Sequence, residues 1–414
     1  VAGIEQGQFR LDAVLLPDAV RAETASLSAR SSYHFADMAP AAVEALYGKT
    51  LPLSASKLDC FAGCRYAFFL QYGLRAQERE PAEFDSRFYG TFVHDVLEYI
   101  VQQTEREGGF AAVPRSRVQE LAQERMEQNA QTLLETFPDS GRTGYLLRRT
   151  FDEVTQVVDE LYDELSVSAF RPKFCELEFS ARGALPGVAF SGKRCRGVVE
   201  GFVDRVDVWQ SGGRPYVRVV DYKTGKKSFD YTNVLHGRGL QMLLYLFALV
   251  RQGGHLLHGE PLPAGVLYFP ARIERVSVRD RLAQAEIEKE RRKQLRRSGV
   301  LLNSDPVLEA MEPCGGSPRF LPYALDKEGR KTGDLASFAQ LAQLERFVFR
   351  TVAALGDELA DGRIDPDPCI RDAKDSACAF CPYSEVCAGH EQPRWLKKIT
   401  AEEFWQTLER REHG

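Results

Sequence analysis

No run of this 414-residue sequence approaches the roughly 18 uninterrupted apolar residues that a membrane-spanning helix requires. The first residues, VAGIEQGQFRLDAVLLPD, also lack the basic segment and the following apolar stretch of a secretory leader. These two absences predict a cytoplasmic protein that does not enter a membrane. Because the first residue is Val1 and not Met, we expect residues 1–50 to continue from a missing upstream region.

Two further absences narrow the possible functions. The GKT of residues 48–50 is not a phosphate-binding loop, because that loop requires a glycine where this sequence has Val43. The sequence therefore shows no ATPase motif. It also has no excess of basic residues, since 54 basic and 59 acidic residues give a net charge of −5. This balance excludes a uniformly basic nucleic-acid-binding protein but is compatible with a local cationic groove.

The spacing of apolar residues indicates helices followed by a sheet. Helical spacing extends over residues 54–72, 84–103 and 115–168, with Ser54 or Ser56 as the cap of the first helix. From residue 174, β-branched and aromatic segments alternate with Gly, Pro and Ser turns, which indicates strands. A strongly apolar helix, GLQMLLYLFALVRQGG, and a buried strand, AGVLYFPA, follow. With 44% apolar residues, this order predicts a globular α/β protein.

The segment of residues 280–300, DRLAQAEIEKERRKQLRRSG, is expected to be a charged helix whose C-terminal part is basic. We interpret it as a solvated helix face in preference to a DNA contact, because basic runs are common on protein surfaces.

Two strands place acidic residues where they can meet. Asp204 lies in VVEGFVDRVDVW, and Asp221 and Lys223 share one face of VRVVDYKTG. If the strands form a hairpin around QSGGRP, the two carboxylates approach each other, and Mg²⁺ would relieve their repulsion. Lys223 could then orient a water molecule or stabilise developing charge. The alternative is a surface ion pair of Asp221 and Lys223, worth about 1 kcal/mol or less.

Four segments, GTFVHDVLE, EGFVDRVD, VVDYKTGKK and GLQMLLYLFAL, resemble successive motifs of the RecB-like branch of PD-(D/E)XK nucleases. The resemblance implies a restriction-endonuclease-like α/β core, with a mixed central sheet flanked by helices and additional helical insertions. It also implies a Mg²⁺- or Mn²⁺-dependent phosphodiester hydrolase. The implied metal ligands are His94, Asp204 and Asp221. The implied catalytic residues are Asp204, Asp221, Lys223, Gln241 and Tyr245.

Three of these implied roles have simpler alternatives. His94 could be a core histidine that binds a backbone carbonyl. Gln241 and Tyr245, which by the resemblance shape the substrate side of the site, could form the polar edge of a buried helix. Glu176, in FRPKFCELEF, matches a further acidic position of the branch.

The nine cysteines are unevenly distributed, and SACAFCPYSEVCAGH contains Cys378, Cys381 and Cys387. Three thiolates in one loop need a fourth ligand to complete a site for a soft metal. His390 would complete a zinc site. The other candidates for the fourth ligand are Cys64, Cys60 and Cys369.

The segment SASKLDCFAGCRYAFFLQYGL resembles the opening of the same nuclease branch, and this resemblance implies that Cys64 joins the three C-terminal cysteines around a 4Fe-4S cluster. The sequence departs from the usual pattern at Arg65, where the branch has proline. Cys60, one helical turn away, stays an alternative to Cys64. We interpret Cys175, Cys195 and Cys314 as small buried residues.

The segments LYGKTLPLSASKLD, QYGLRAQER and LADGRIDPDPC are similar to the C-terminal nuclease domain of the AddB family of helicase-nuclease proteins. The resemblance implies a nuclease domain over residues 51–392, closed by the cluster, and a helical tail over residues 393–414. It implies single-stranded DNA as substrate, an AddA-like partner and an upstream helicase-like region. The implied role is the processing of double-strand breaks for recombination.

DNA-binding candidates in a strand-threading groove are Arg65, Arg75, Arg79, Arg87, Lys226 and Lys227. Two other functions stay open. One is a catalytically inactive, DNA-guiding domain of the same fold, and the other is a zinc-stabilised interaction module.

Overall fold

The computed structural model describes residues 37–76, 86–136, 141–225, 228–273, 284–387 and 393–413. Its helices are α1 Pro40–Tyr47, α2 Ala55–Gly63, α3 Arg65–Phe68, α4 Ser86–Arg106, α5 Arg115–Thr136, α6 Gly141–Val167, α7 Tyr231–Leu235, α8 Gln241–Gln252, α9 Gly254–Leu257, α10 Gln284–Gln294, α11 Asp305–Met311, α12 Phe338–Ala360 and α13 Ala401–His413. A π-helical turn, Phe69–Gly73, follows α3. Within these ranges no helix combines the length and the apolar character needed to cross a membrane.

The strands are β1 Leu51–Ser54, β2 Arg171–Phe179, β3 Val188–Ser191, β4 Arg196–Ser211, β5 Arg214–Lys223, β6 Leu262–Pro270, β7 Ser298–Leu302, β8 Tyr323–Leu325, β9 Lys331–Gly333, β10 Leu335–Ala336, β11 Cys369–Ile370 and β12 Arg394–Trp395. The main sheet has the order β1-β4-β5-β6-β7-β10, and β2 and β3 also pair with β4. β5 and β6 are parallel, whereas β4 and β5 are antiparallel. This mixed sheet, flanked by helices, confirms the predicted fold class.

The centre of the sheet is covered on both faces. Residues 217–222 of β5 are all buried, which is the pattern of a central strand between two layers of helices. Helix α8 packs against β5 and β6, and residues 242–249 of this helix are buried on every side. Helix α4 packs against β2 and β4 through an apolar stripe that includes Val93, Val96, Leu97 and Ile100, each with 0% exposure.

Local predictions around the first helix are confirmed in part. The Ser54 hydroxyl accepts a hydrogen bond from the Lys57 backbone N–H at 3.2 Å, so Ser54 is the cap of α2. The residues just before it form β1, which pairs in parallel with Gly197–Glu200 of β4. The sequence pattern did not indicate this strand, because only four residues contribute to it.

The basic segment of residues 280–300 differs from the prediction. Helix α10 ends at Gln294, and the chain then enters β7. Arg297 is 3% exposed and binds Glu164, and Arg296 donates hydrogen bonds to the carbonyl groups of Leu321 and Tyr323. The end of the basic run is therefore structural, because its charges are paired inside the protein.

Arg65 is a second correction to the DNA-binding candidates. Its side chain is 7% exposed and forms ion pairs with Glu358 and Asp367. The guanidinium group therefore connects α3 to α12 and to the loop that precedes β11. Arg79, Lys226 and Lys227 lie outside the described residues, as does the side chain of Arg87.

A buried ionic network holds β4 and β5 against α6. Arg205 donates to both oxygens of the Asp207 carboxylate, at 2.8 and 3.0 Å. Arg218 on β5 donates to Asp207 at 2.8 Å and to Glu164 at 3.0 Å. Arg297 completes the network by donating to Glu164 at 2.9 Å. All five side chains are at most 2% exposed, so three cations face two carboxylates in the protein interior.

The network also fixes the alignment of β4 with β5. Arg205 donates a third hydrogen bond, at 3.0 Å, to the hydroxyl of Tyr222 on the opposite strand. Burial opposes the ionisation of Glu164, but the charges of Arg297, Arg218 and Arg205 outweigh it and lower the pKa of Glu164 to about 2.

Glu164→Gln should destabilise the fold strongly, because it leaves buried arginines without a counter-charge. We expect a loss of about 3–5 kcal/mol in the free energy of unfolding, measured by urea titration followed by circular dichroism. The matched control is Glu120→Gln, since the Glu120 side chain is 61% exposed. The control should change stability by less than about 0.5 kcal/mol. Equal effects of the two substitutions would contradict the role of the network.

Candidate active site

The turn between β4 and β5 sets the position of the acidic residues. Gly212 and Gly213, with φ angles of 58° and 75°, form a two-residue turn that other residues rarely adopt. The resulting antiparallel ladder pairs Arg205 with Val220, so the next residues, Asp204 and Asp221, face each other. The predicted hairpin is therefore confirmed. The Tyr222 backbone N–H also donates to Asp204 Oδ2 at 2.6 Å.

His94 and Glu176 join Asp204 from two other elements. One ligand atom from each of these three side chains lies within 4.8 Å of the other two. The His94 Nε2–H group donates to the carbonyl oxygen of Tyr222 at 2.9 Å, because a carbonyl can only accept. When the ring is neutral, this hydrogen bond leaves the lone pair on His94 Nδ1, which lies 3.5 Å from Asp204 Oδ2. Both the ring orientation and the tautomer therefore suit a metal ligand.

Glu176 reaches the site through an unusual backbone conformation. Its φ angle is 47°, in the left-handed region that a non-glycine residue rarely occupies. On β2, Cys175 pairs with Arg205 and Leu177 pairs with Val203, which places Glu176 beside Asp204. Such a conformation costs on the order of 1–3 kcal/mol and is typical of functional sites.

The crowding of carboxylates raises their pKa values. Burial, together with the charges of Asp204, Glu98 and Asp221, raises the pKa of Glu176 to about 7. Burial and the charge of Asp221 likewise raise the pKa of Asp204 to about 6, against an opposing effect of His94. A site that disfavours its own ionised carboxylates in this way is well suited to a divalent cation.

Asp221 and Lys223 form a close ion pair at the end of β5. The Lys223 Nζ atom lies 2.5 Å from Asp221 Oδ2, and the two side chains are 23% and 6% exposed. The ammonium group also lies 6.0 Å from the centre of the Tyr268 ring. These contacts hold the cation beside the carboxylates and in partial contact with solvent.

Tyr245 lies away from the group formed by His94, Glu176 and Asp204. Its buried hydroxyl donates to the carbonyl oxygen of Glu200 at 3.1 Å, and its ring stacks on Phe179 with centroids 4.9 Å apart. A Cβ atom at Gly201 would lie 2.2 Å from this hydroxyl, so glycine is needed there. Tyr245 thus supports β4 a few residues before Asp204. Gln241, which is partly buried, is the first residue of the same helix, α8.

Glu98 is an acidic residue that sequence reasoning missed. It lies on α4 one helical turn after His94, and its charge contributes to the raised pKa of Glu176. The Gln102 side chain donates to it at 2.8 Å. The spacing of four residues from a candidate metal ligand was the signal that could have identified it.

The four cysteines implied as cluster ligands line one cavity of about 190 Å³. They are Cys64, Cys378, Cys381 and Cys387. Burial raises the pKa of the Cys64 thiol to about 11. In the described part of the chain, no three of these sulfur atoms lie within 4.8 Å of one another.

The alternative fourth ligands occupy other places. Cys60 does not line the cavity, and its thiol donates to Gln71 at 3.5 Å. Cys369 is buried, and its thiol donates to the carbonyl oxygen of Ala62 at 3.3 Å. His390 lies outside the described residues. Cys175, Cys195 and Cys314 are partly and not fully buried, which corrects the prediction for these three.

Known proteins resemble this chain over most of its length. The profile of a family described as the PD-(D/E)XK nuclease superfamily matches residues 52–388. A Moorella thermoacetica protein, named as one of the subunits of an ATP-dependent helicase/deoxyribonuclease, is 34% identical over 84% of this chain and 31% of its own length. A protein with the same name from Thermoanaerobacter sp. is 28% identical over 89% of this chain and 33% of its own length. A third, from Caldanaerobacter subterraneus subsp. tengcongensis, is 30% identical over 84% of this chain and 30% of its own length. The chain therefore spans about a third of the length of these relatives.

The raised pKa values predict how the metal-free chain responds to pH. The folded state retains a proton on Glu176 up to a pH of about 7 and a proton on Asp204 up to a pH of about 6. The unfolded state releases both protons at lower pH. Stability should therefore fall as the pH rises through this range. We expect the double variant Glu176→Gln, Asp204→Asn to show a flatter dependence of Tm on pH, measured in chelator by calorimetry.

Glu178→Gln on the same strand is the matched control and should keep the wild-type dependence. Addition of Mg²⁺ should prevent most of the fall in Tm with rising pH in the wild-type chain and should have little effect on the Tm of the double variant. Parallel pH profiles of wild type and double variant would contradict the assignment.

Proposed function

The chain belongs to the PD-(D/E)XK nuclease superfamily, and from this membership we propose that it is a metal-dependent nuclease that cuts single-stranded DNA. The observation that carries the proposal is the convergence of His94, Glu176 and Asp204 beside the Asp221–Lys223 ion pair. Carboxylate oxygens and one imidazole nitrogen form a donor set that suits Mg²⁺ or Mn²⁺.

We assign the metal ligands to His94, Asp204 and Asp221, with Glu176 as a further acidic ligand. A bound divalent cation would supply the positive charge that polarises a phosphoryl oxygen and lowers the pKa of water. Asp221 also holds the Lys223 ammonium group at 2.5 Å, where it can stabilise negative charge that develops on the phosphate. His94 keeps its orientation through its hydrogen bond to Tyr222.

We further propose that Gln241 contacts the substrate side of the site and that Tyr245 acts as a positioning residue. The hydroxyl of Tyr245 holds the Glu200 carbonyl group, and this part of β4 leads directly to Asp204. The role of Tyr245 is therefore to keep the strand in place, without contact with the reacting atoms.

We propose that Cys64, Cys378, Cys381 and Cys387 hold a 4Fe-4S cluster. Their shared cavity supports this ligand set over one that contains Cys60. Four cysteine thiolates are also the usual ligand set of a 4Fe-4S cluster. The cluster would connect α3 to the C-terminal loop and so close a nuclease domain of residues 51–392.

The names of the relatives indicate the larger context. Each relative is named as part of an ATP-dependent helicase/deoxyribonuclease, and this chain covers about a third of each. We propose that the chain is the nuclease part of such a protein, with a helicase-like region upstream and an AddA-like partner. Its role would be the processing of double-strand breaks for recombination in the cytoplasm. The tail of residues 393–414 contains α13, which packs against α12 and α7.

A nuclease assay with single-stranded DNA under reducing conditions with Mg²⁺ tests the proposal. Lys223→Ala and Asp221→Asn should each lower the cleavage rate by about 100-fold or more, because each removes a charge at the reacting centre. Lys193→Ala, an exposed lysine on another loop, is the matched control and should keep the wild-type rate.

Failure of the wild-type chain to cut would favour the inactive, DNA-guiding function. Full activity of Lys223→Ala would contradict the role of that residue.

The cluster makes a separate prediction. Cys387→Ala should lose both the visible absorbance of the iron-sulfur cluster and thermal stability, because the connection across more than 300 residues is broken. Cys314 does not line the cavity, so the control Cys314→Ala should keep both the visible absorbance and the thermal stability. The measurements are absorbance spectra, iron analysis and calorimetry on anaerobically purified protein. Colourless wild-type protein with stoichiometric zinc would instead support the zinc-stabilised module.

A further inference from the structure

A groove of about 960 Å³ lies apart from the acidic residues, between α1, β1, α3 and the cysteine-containing loop. One side is formed by the helical turns that follow Cys64, with Phe68, Gln71 and Tyr72. The cysteine-containing loop contributes Phe380 and Tyr383. The Tyr383 hydroxyl donates to the Ala76 carbonyl oxygen at 2.8 Å, which connects this loop to the chain that follows the helical turns. We call this feature the aromatic groove.

The residues that line the aromatic groove are unusual for this chain. They include five aromatic side chains: Tyr47, Phe68, Tyr72, Phe380 and Tyr383. They also include two cations, Lys57 and Arg75, and among the described residues that line the groove none is acidic. In a protein with 59 acidic residues and a net charge of −5, this local charge favours an anionic ligand.

Phe380 has the most exposed side chain among the large hydrophobic residues that the structure describes. It is 96% exposed, although an exposed phenylalanine ring is costly in water. In the same groove, Tyr72 packs against Phe68 with centroids 5.1 Å apart, and Lys57 lies 5.7 Å from the Tyr72 ring centre. Aromatic rings combined with cations in one groove are the features that stack bases and bind their phosphates.

We propose that the aromatic groove binds single-stranded DNA, with bases stacked on Phe380 and Tyr72 and phosphates bound by Lys57 and Arg75. This inference rests on the proposed nuclease function and assigns the site that holds the strand near the active site. A single strand of DNA uses both features of the described lining, because its bases can stack on the rings and its phosphates can bind the two cations.

The groove is close enough to the active site to serve the same strand. β1, which lines the groove, pairs with Gly197–Glu200 of β4, four to seven residues before Asp204. At about 3.3 Å per residue, the distance along β4 from these partners to Asp204 is roughly 13–23 Å. A stacked strand with about 3.4 Å per nucleotide covers it with roughly four to seven nucleotides.

Binding of a fluorescein-labelled oligothymidylate of about 20 nucleotides, measured by anisotropy without added divalent metal, tests the groove. Phe380→Ala should weaken binding about five- to hundredfold, the range for loss of one stacked base. Arg75→Ala should weaken binding and reduce the slope of log K against log salt by about 0.7.

The matched controls lie outside the groove. Phe338→Ala removes a ring that is 46% exposed at the start of α12, and Arg214→Ala removes a cation in the β4–β5 hairpin. Both should bind as wild type does. In cleavage assays, Phe380→Ala should raise KM for the long oligonucleotide with kcat little changed. It should not affect strands of about two nucleotides, which are too short to span the distance from the active site to the groove.

Two failures are distinguishable. If the wild-type chain cuts the long strand but both groove variants bind it as tightly as wild type does, the groove has another occupant, such as a polypeptide, and this inference alone is overturned. If the wild-type chain neither binds nor cuts, the inference and the proposed function fall together.

Discussion

The alignment of β4 with β5 is the constraint on which the candidate site depends. A shift of one residue would turn either Asp204 or Asp221 to the other face of the sheet. The Gly212–Gly213 turn fixes this alignment at one end of the hairpin, and the hydrogen bond from Arg205 to Tyr222 fixes it near the other. Because side chains alternate along a strand, the carboxylates and Tyr222 lie on opposite faces.

The acidic site and the buried ionic network beside this hairpin differ in how well positive charges compensate their carboxylates. The acidic group has raised pKa values at Glu176 and Asp204 and a strained backbone at Glu176, so it is costly without a cation. The buried network pairs three arginines with Glu164 and Asp207 and favours the ionised carboxylate of Glu164. Such networks can add structural specificity at little net stability. Here the network holds β4 against β5, and these strands carry the mutually repelling carboxylates of Asp204 and Asp221.

Much of this arrangement could be predicted from local sequence patterns. The strand alternation of Asp221 and Lys223, the glycine turn, the helix with His94 and the apolar helix α8 each depend on neighbours in sequence. The missed features depend on distant partners. Arg297 is buried because it binds Glu164, which lies 133 residues before it in the sequence. Arg65 is buried because it binds Glu358, which lies 293 residues after it. The left-handed backbone of Glu176 likewise depends on its pairing with β4, which no residue type in FCELEF indicates.

Anomalous diffraction from crystals grown with Mn²⁺ would show whether the β4–β5 hairpin forms a metal site. We expect one strong anomalous peak within bonding distance of His94 Nδ1 and of the carboxylates of Asp204 and Asp221. We also expect the β4–β5 pairing around the ion to stay unchanged. A well-ordered site without a peak, or a peak bound by other residues, would show that these side chains do not hold the metal.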